Sequence, residues 1–176
     1  MVEQNIVPPA VSMAEAQAYA RVETGEEEAL LAGLVRTASA LCESFIGQVL
    51  VERPFKEILP TTNRWQRLEM SPVRSIDSIE SITADGSAVV VPASDFEMDI
   101  DSRGDGWVKM LKLSSERIRV SGMAGLATDA NGVPEPLRQG ILRLVAHLFA
   151  TRDGTTGEPP AAVTALWRPY RRMRLA

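Results

Sequence analysis

Residues 24–47 read TGEEEALLAGLVRTASALCESFIG, and this stretch decides the fold. Its large apolar residues are Leu30, Leu31, Leu34, Val35, Ala38, Leu41, Cys42, Phe45 and Ile46. Their i, i+3, i+4, i+7 recurrence places them on one side of a 3.6-residue helix. Thr24 and Glu27 form a capping box, with the hydroxyl accepting from the Glu27 amide and the carboxylate from the Thr24 amide. Glu26, Glu27 and Glu28 put negative charge at the positive end of the helix dipole, and Gly47 is suited to the left-handed conformation that ends a helix. A helix of about 33 Å with one apolar stripe needs partners, and three further helical segments supply them.

Upstream, residues 1–11 hold Pro8 and Pro9 and no periodicity, which predicts an extended arm. Ser12 with Glu15 is a second capping box, opening a helix over Met13–Val22 that ends before Gly25. Downstream of Gly47 the period falls to about two. Strands are predicted at Phe55–Leu59, Trp65–Met70, Ile79–Thr83, Ala88–Val91, Phe96–Ile100, Trp107–Leu113 and Arg117–Ser121. Asp85-Gly86 signals a type I′ hairpin, and Gly104-Asp105-Gly106 another turn. The connections suit hairpins and are too short for crossovers, so the sheet is antiparallel.

Gly122–Gly132 is glycine-rich loop. Helix resumes at Val133-Pro134-Glu135-Pro136, with Pro134 at or near the first helical position. Its stripe is Leu137, Ile141, Leu144, Val145, Leu148 and Phe149, and Gly154 closes the segment. Pro159-Pro160 opens a short helix carrying Val163, Leu166 and Trp167, which Pro169 discourages from continuing. The remainder is expected to be an extended basic strand. The fold class is thus α+β within one domain, 1–176. A bundle of about four helices, from segments 12–47 and 133–168, has an antiparallel β subdomain, 53–122, inserted between the long helix and the third helix. A basic tail, 167–176, completes it.

A compact fold of 176 residues buries roughly 70% of its unfolded surface, enough for one core without a metal or disulfide staple. The single cysteine, Cys42, lies on the apolar stripe, which excludes an intramolecular disulfide and implies a reducing compartment. The opening MVEQNIVPPAV has neither a basic n-region nor a long apolar h-region. No run approaches bilayer-spanning length, so a cytosolic origin and no membrane association are expected. The net charge of −4 argues against a generic nucleic-acid binder, yet four arginines crowd the last nine residues.

No residue pattern points to catalysis, a cofactor or a metal. His147, the one histidine, shares its helix with Arg143 and has no carboxylate at i±4. Cys42 on a buried face is a small hydrophobe with a raised pKa. Asp99, Asp101 and Asp105 in DIDSRGDG depart from a calcium loop, because the fifth position is Arg103 and the twelfth is Met110. A polar hairpin tip accounts for them. Phosphate-binding glycine loops, HExxH, paired CxxC and GxSxG are all absent from the sequence. The feature that calls for a function is the tail, where Trp167 and Tyr170 interleave with Arg168, Arg171, Arg172 and Arg174. Such a segment suits phosphates and bases or a protein cleft.

The order of capped long helix, β insert opening near Arg53-Pro54, Val133-Pro134 helix closing at Thr151-Arg152-Asp153-Gly154, and the Ala165–Leu175 segment resembles the head-tail connector, or adaptor, proteins of long-tailed bacteriophages and gene transfer agents. Met70-Ser71-Pro72-Val73, leading into the Ile-rich stretch through Ile82, is similar to that family as well. The resemblance covers nearly the whole chain. It implies a non-enzymatic structural protein of a virion or phage-like particle, present in the host cytoplasm during assembly. Such a protein forms a homo-oligomeric ring, expected to be dodecameric, below the portal, and packs helices against neighbouring copies. Its implied partners are the portal protein and a head-tail stopper or tail-completion protein, with contact to packaged DNA possible in that position. The portal side would fall to Trp167, Arg168, Tyr170, Arg171, Arg172 and Arg174. The rival reading from the same arginines is a small nucleic-acid-binding module.

Overall fold

The computed structural model describes residues 8–21, 27–83, 86–151 and 159–172. Among the described residues four helices and seven strands occur in the order α1 (Met13–Ala20), α2 (Glu28–Ile46), β1 (Arg53–Pro60), β2 (Gln66–Arg67), β3 (Val73–Ile82), β4 (Ala88–Val90), β5 (Phe96–Ile100), β6 (Gly106–Met110), β7 (Arg117–Ala124), α3 (Glu135–Ala150) and α4 (Ala161–Trp167). The protein is α+β, and it divides into a helical unit, residues 1–51 with 127–176, and a β unit, residues 52–126.

In the helical unit α3 is the hub, packing on α1, α2 and α4. It buries Leu137, Gly140, Ile141, Leu142, Leu144 and Val145, and α2 buries Leu31, Val35, Ala38, Ser39, Cys42 and Ile46. Leu148 and Phe149, read as part of the α3 stripe, are only half-buried. The α2 stripe also splits. Leu30 and Leu41 remain 43% and 41% exposed, and Leu34 and Phe45 are intermediate. A helix packed along one side cannot bury an arc as wide as these nine residues span. By length and composition α2 reaches what a membrane span requires, contrary to the expectation that no run would. Six of its residues are buried within the helical unit.

Gly47 ends α2 in the left-handed region, φ 68°, with its amide donating to the Glu43 carbonyl at 2.8 Å. Thr24 of the expected capping box lies outside the described residues, and the described helix starts after Glu27. The Ser12–Glu15 box is present. The Glu15 amide donates to Ser12 Oγ at 3.2 Å, and the Ser12 amide to Glu15 Oε2 at 2.8 Å. Helix α1 stops at Ala20, short of Val22, because Arg21 takes a left-handed φ of 54°. Ala10 and Val11, expected in an extended arm, are completely buried.

The β unit holds two antiparallel sheets rather than one, ordered β1-β7-β3-β4 and β2-β6-β5. Strand β7 alternates in the expected way, burying Ile118, Val120, Gly122 and Ala124. Strand β3 does not: it buries Val73, Ile76, Ile79 and Ile82, one residue in three. Register shifts at Val73/Ser75 and Ile76/Ser78 insert an extra residue each time, which brings Ile76 and then Ile79 back to the face of Val73, whereas the continuous register from Ile79 puts Ile82, opposite Arg117, on the other face. This spacing hid the first half of β3 from a period-two reading. The expected Trp65–Met70 strand shrinks to Gln66–Arg67, since the Glu69 amide donates to the Glu57 carboxylate at 2.9 and 3.0 Å instead of to a ladder. Strand β6 ends at Met110, where the Leu111 amide turns to the Asp95 carbonyl at 2.8 Å. Strand β7 instead runs on to Ala124, three residues past the expected end at Ser121.

Gly122 sits where β7 passes the β3 bulge. A Cβ there would lie 2.1 Å from the Ser75 carbonyl oxygen and 3.0 Å from Phe55 Cε1, so only glycine fits this approach.

Candidate functional site

The described part of the basic-aromatic segment, through Arg172, does not begin as an extended strand. Helix α4 carries it to Trp167, a 3-10 turn follows over Arg168–Tyr170, and Arg171 returns to extended backbone. Pro169 fits because a 3-10 turn tolerates its fixed φ and missing donor near the start.

Trp167 is fully buried. Its indole nitrogen donates to the Leu137 carbonyl at 3.3 Å, and its ring tilts against Phe45 with centroids 5.8 Å apart. The indole lies over Gly140 of α3, where a Cβ would meet Nε1 at 2.1 Å. The sequence reading of Trp167 as an anchor for a partner is therefore corrected: the indole anchors the segment to its own subunit. The reason is area, since a ring of this size gains more from a glycine-floored slot in the core than from water.

The residues after Trp167 are tied to the C-terminal end of α2. Gln48 Nε2 donates to the Tyr170 carbonyl at 2.6 Å, and the Arg172 amide donates to the Ile46 carbonyl at 2.8 Å. The latter bond satisfies one of the carbonyls that a helix end leaves open. The Arg171 guanidinium lies 5.5 Å from the Phe45 ring centroid. Arg168 and Arg171 are exposed, and Tyr170 and Arg172 are half-buried. Arg174 lies outside the described residues. The structure thus brings together Arg168, Tyr170, Arg171 and Arg172 on a backbone held by the helical unit. A guanidinium on a fixed backbone suits bidentate recognition of a carboxylate or phosphate, with less ordering cost than a free tail.

Sequence reasoning missed the groups that make this segment rigid. Phe45, Gln48 and Gly140 carry no motif, and they matter only because the C-terminal segment folds back over the ends of α2 and α3.

The other polar candidates take structural places. Burial, with a contribution from Glu43, pushes the Cys42 thiol far above its ordinary range. His147 is half-buried on α3, and its carbonyl accepts from the Thr151 amide at 3.0 Å. Asp101 Oδ1 accepts from the amides of Arg103 at 2.8 Å and Asp105 at 3.0 Å. These bonds, chiefly that from Asp105, hold its carboxyl below the ordinary aspartate range. Asp105 pairs with Arg67 at 3.1 Å and accepts from the Ser71 hydroxyl at 3.0 Å. Asp101 is thus used within the turn and Asp105 by Arg67 and Ser71, and among the described residues no three His, Cys, Asp or Glu side chains converge as a metal site.

No protein-family model and no curated protein matches the sequence. Solved structures do. A chain in the neck of an empty gene transfer agent (GTA) particle, computed with C6 symmetry, superposes with a TM-score of 0.77 and 25% identity over 95% of this chain and 92% of that one. A chain in the virion of a native gene transfer agent particle gives 0.75 and 24% over 95% and 92%. A chain in the neck of a native GTA particle, computed with C12 symmetry, gives 0.72 and 22% over 96% of each. The last two show the fold alone. All three neighbours are chains of gene transfer agent particles, two of them in the neck.

Proposed function

We propose that this protein is a head-tail connector, or adaptor, subunit of a gene transfer agent or tailed-phage particle, joining the DNA-filled head to the tail as a ring below the portal. The observation that carries this reading is the likeness to a gene transfer agent neck chain over 95% of the residues at a TM-score of 0.77. A fold match of that extent includes both the helical and the β unit, so it is not the match of one common motif.

Two surface features supply the contacts such a subunit requires. The first is the shoulder of α2. Leu30, Leu34, Leu41 and Phe45 fall within about 60° of one another at 100° per residue, and at least Leu30 and Leu41 are two-fifths exposed. Packed against the next copy, this stripe repeats around a closed head-to-tail ring. The C6 symmetry of the first neighbour's neck supports a symmetric ring, which we take to hold twelve copies. The second is the clasped segment, where Arg168, Tyr170, Arg171 and Arg172 face the portal protein or the acidic surface of a stopper or tail-completion protein, close to packaged DNA. Arg174 extends the same cationic stretch in sequence.

The experiment is complementation of particles from a strain lacking this gene. Wild-type protein restores tailed particles, with the subunit located in the neck by electron microscopy. Arg168→Glu with Arg171→Glu folds but leaves tailless heads. Truncation ahead of Trp167 is not a clean variant, because it empties the helical core. Particles that acquire tails at the normal rate with both arginines reversed would refute the assignment of this surface. Absence of the protein from purified particles would refute the function. Binding to duplex DNA that weakens steeply with salt and depends on these arginines would instead support the nucleic-acid-binding module.

A further inference from the structure

The outward face of the β2-β6-β5 sheet carries two cross-strand rows. In the register of this sheet Lys109 is opposite Glu97, Trp107 is opposite both Arg67 and Asp99, and Trp65 precedes Gln66, which faces Val108. Each row therefore holds one indole, one cation and one carboxylate. The first row is complete. Lys109 Nζ stands 5.8 Å from the Trp65 ring centroid and pairs with Glu97 Oε2 at 2.9 Å. The second is not, because its cation is drawn away: Arg67 Nη2 pairs with Asp105 Oδ1 at 3.1 Å.

That diversion leaves Trp107 half-exposed beside an exposed Asp99, with no ion pair to Asp99 among the described residues. The Trp107 indole nitrogen is turned aside, donating to Asp101 Oδ2 at 3.4 Å. Trp65, Asp99 and Trp107 together line an open cavity of about 310 Å³. This is the low end of the range for ligand sites, with ample room for the end of one side chain.

We propose that this cavity is a subsite for the guanidinium of an arginine side chain on a partner protein, stacked on Trp107 and paired with Asp99. The incoming cation would repeat across Trp107 and Asp99 what Lys109 already does across Trp65 and Glu97. Arginine fits better than lysine because a planar guanidinium stacks on an indole and meets a carboxylate with two parallel donors. Asp99 supplies the charge complement, and Trp65 walls the side away from it. The site lies wholly within the β unit and is independent of the neck reading.

The test is a titration of the ¹⁵N-labelled full chain followed through its indole N–H resonances. The probe is N-acetyl-arginine methylamide, carried to on the order of 100 mM, where an exposed cation–π contact combined with a surface ion pair begins to be populated. The uncharged citrulline analogue is the control. The Trp107 and Trp65 resonances are expected to move with arginine, at least about fivefold less with citrulline, and to a similarly reduced extent in Asp99→Asn. Buried Trp167 should stay still as the internal reference. Asp99 is exposed and edge-facing, so Asp99→Asn preserves the fold. The proposal is overturned if arginine leaves the Trp107 resonance unmoved, if citrulline moves it equally, or if Asp99→Asn responds like the wild type.

Discussion

Gly140→Ala is the substitution whose outcome depends most directly on the packing of Trp167. Judged by helix propensity alone it should stabilise α3 by up to about 1 kcal/mol, since glycine in a helix interior is worse than alanine by that amount. The structure reverses the sign. The new Cβ would stand 2.1 Å from Trp167 Nε1 and 2.8 Å from two ring carbons, well over an ångström inside normal carbon contact. The obstacle is a rigid, fully buried ring with Phe45 at 5.8 Å. If the ring moves, it weakens the bond to the Leu137 carbonyl, roughly 1 kcal/mol, and part of a burial whose complete loss costs about 3–5 kcal/mol. If the helix moves instead, overpacking costs roughly 1–3 kcal/mol.

After crediting the propensity gain, the cheaper of the two routes leaves a net loss of up to about 2 kcal/mol. The assay is urea unfolding in a Trp65→Phe, Trp107→Phe background, so that emission reports Trp167 alone, with helical circular dichroism alongside. Gly140→Ala should lower the midpoint and red-shift the native emission. In a Trp167→Leu background the same substitution should cost less than about 1 kcal/mol or become stabilising, a coupling of the size contacting residues show. A single mutant as stable as its parent with unshifted emission would refute the reasoning. So would equal losses in both backgrounds, because the indole would then not be what the Cβ meets.

Ser12→Ala removes the first-turn cap of α1 and should cost about 1 kcal/mol, measured by thermal unfolding of the helical circular-dichroism signal. The bonds from Ser12, then the charge of Arg138, hold the Glu15 carboxyl below its ordinary value of 4.5. Its stabilising contribution is therefore complete above that value and fades as pH falls through the lower folded value. Glu15→Gln should flatten the stability profile below about pH 4.5, and a variant with an unchanged acid limb would show that Glu15 is not responsible. Gly122→Ala should destabilise the β unit by more than about 2 kcal/mol, because the Cβ meets backbone that cannot give way. Chemical denaturation followed by Trp107 emission checks it, and a neutral result would mean that the bulge at Ser75 relaxes. Cys42 should be inert to a thiol reagent in the native state and react at the rate of opening, since burial pushes its thiol up and only the thiolate reacts. Rapid modification without loss of structure would contradict this.

The sequence alone determined the elements whose signals are local. Ser12-x-x-Glu15 specifies its capping box because both partners lie within one helical turn. Gly47 and Pro134 mark a helix end and a helix start through their own φ preferences, and β7 alternates because it has no bulge. The resemblance built on element order also led to the fold that the neck structures share. Tertiary structure decided whatever depends on residues distant in the chain. The split of the α2 stripe, the two rows around Trp65 and Trp107, and the three-residue spacing of β3 all follow from pairings far apart in sequence. Trp167 is the clearest instance. Beside four arginines it reads as a surface anchor, but a missing Cβ at Gly140, 27 positions earlier, opens the slot that buries it. Periodicity reports which face of an element avoids water, whereas the depth of each side chain is set by the shape of what packs against it.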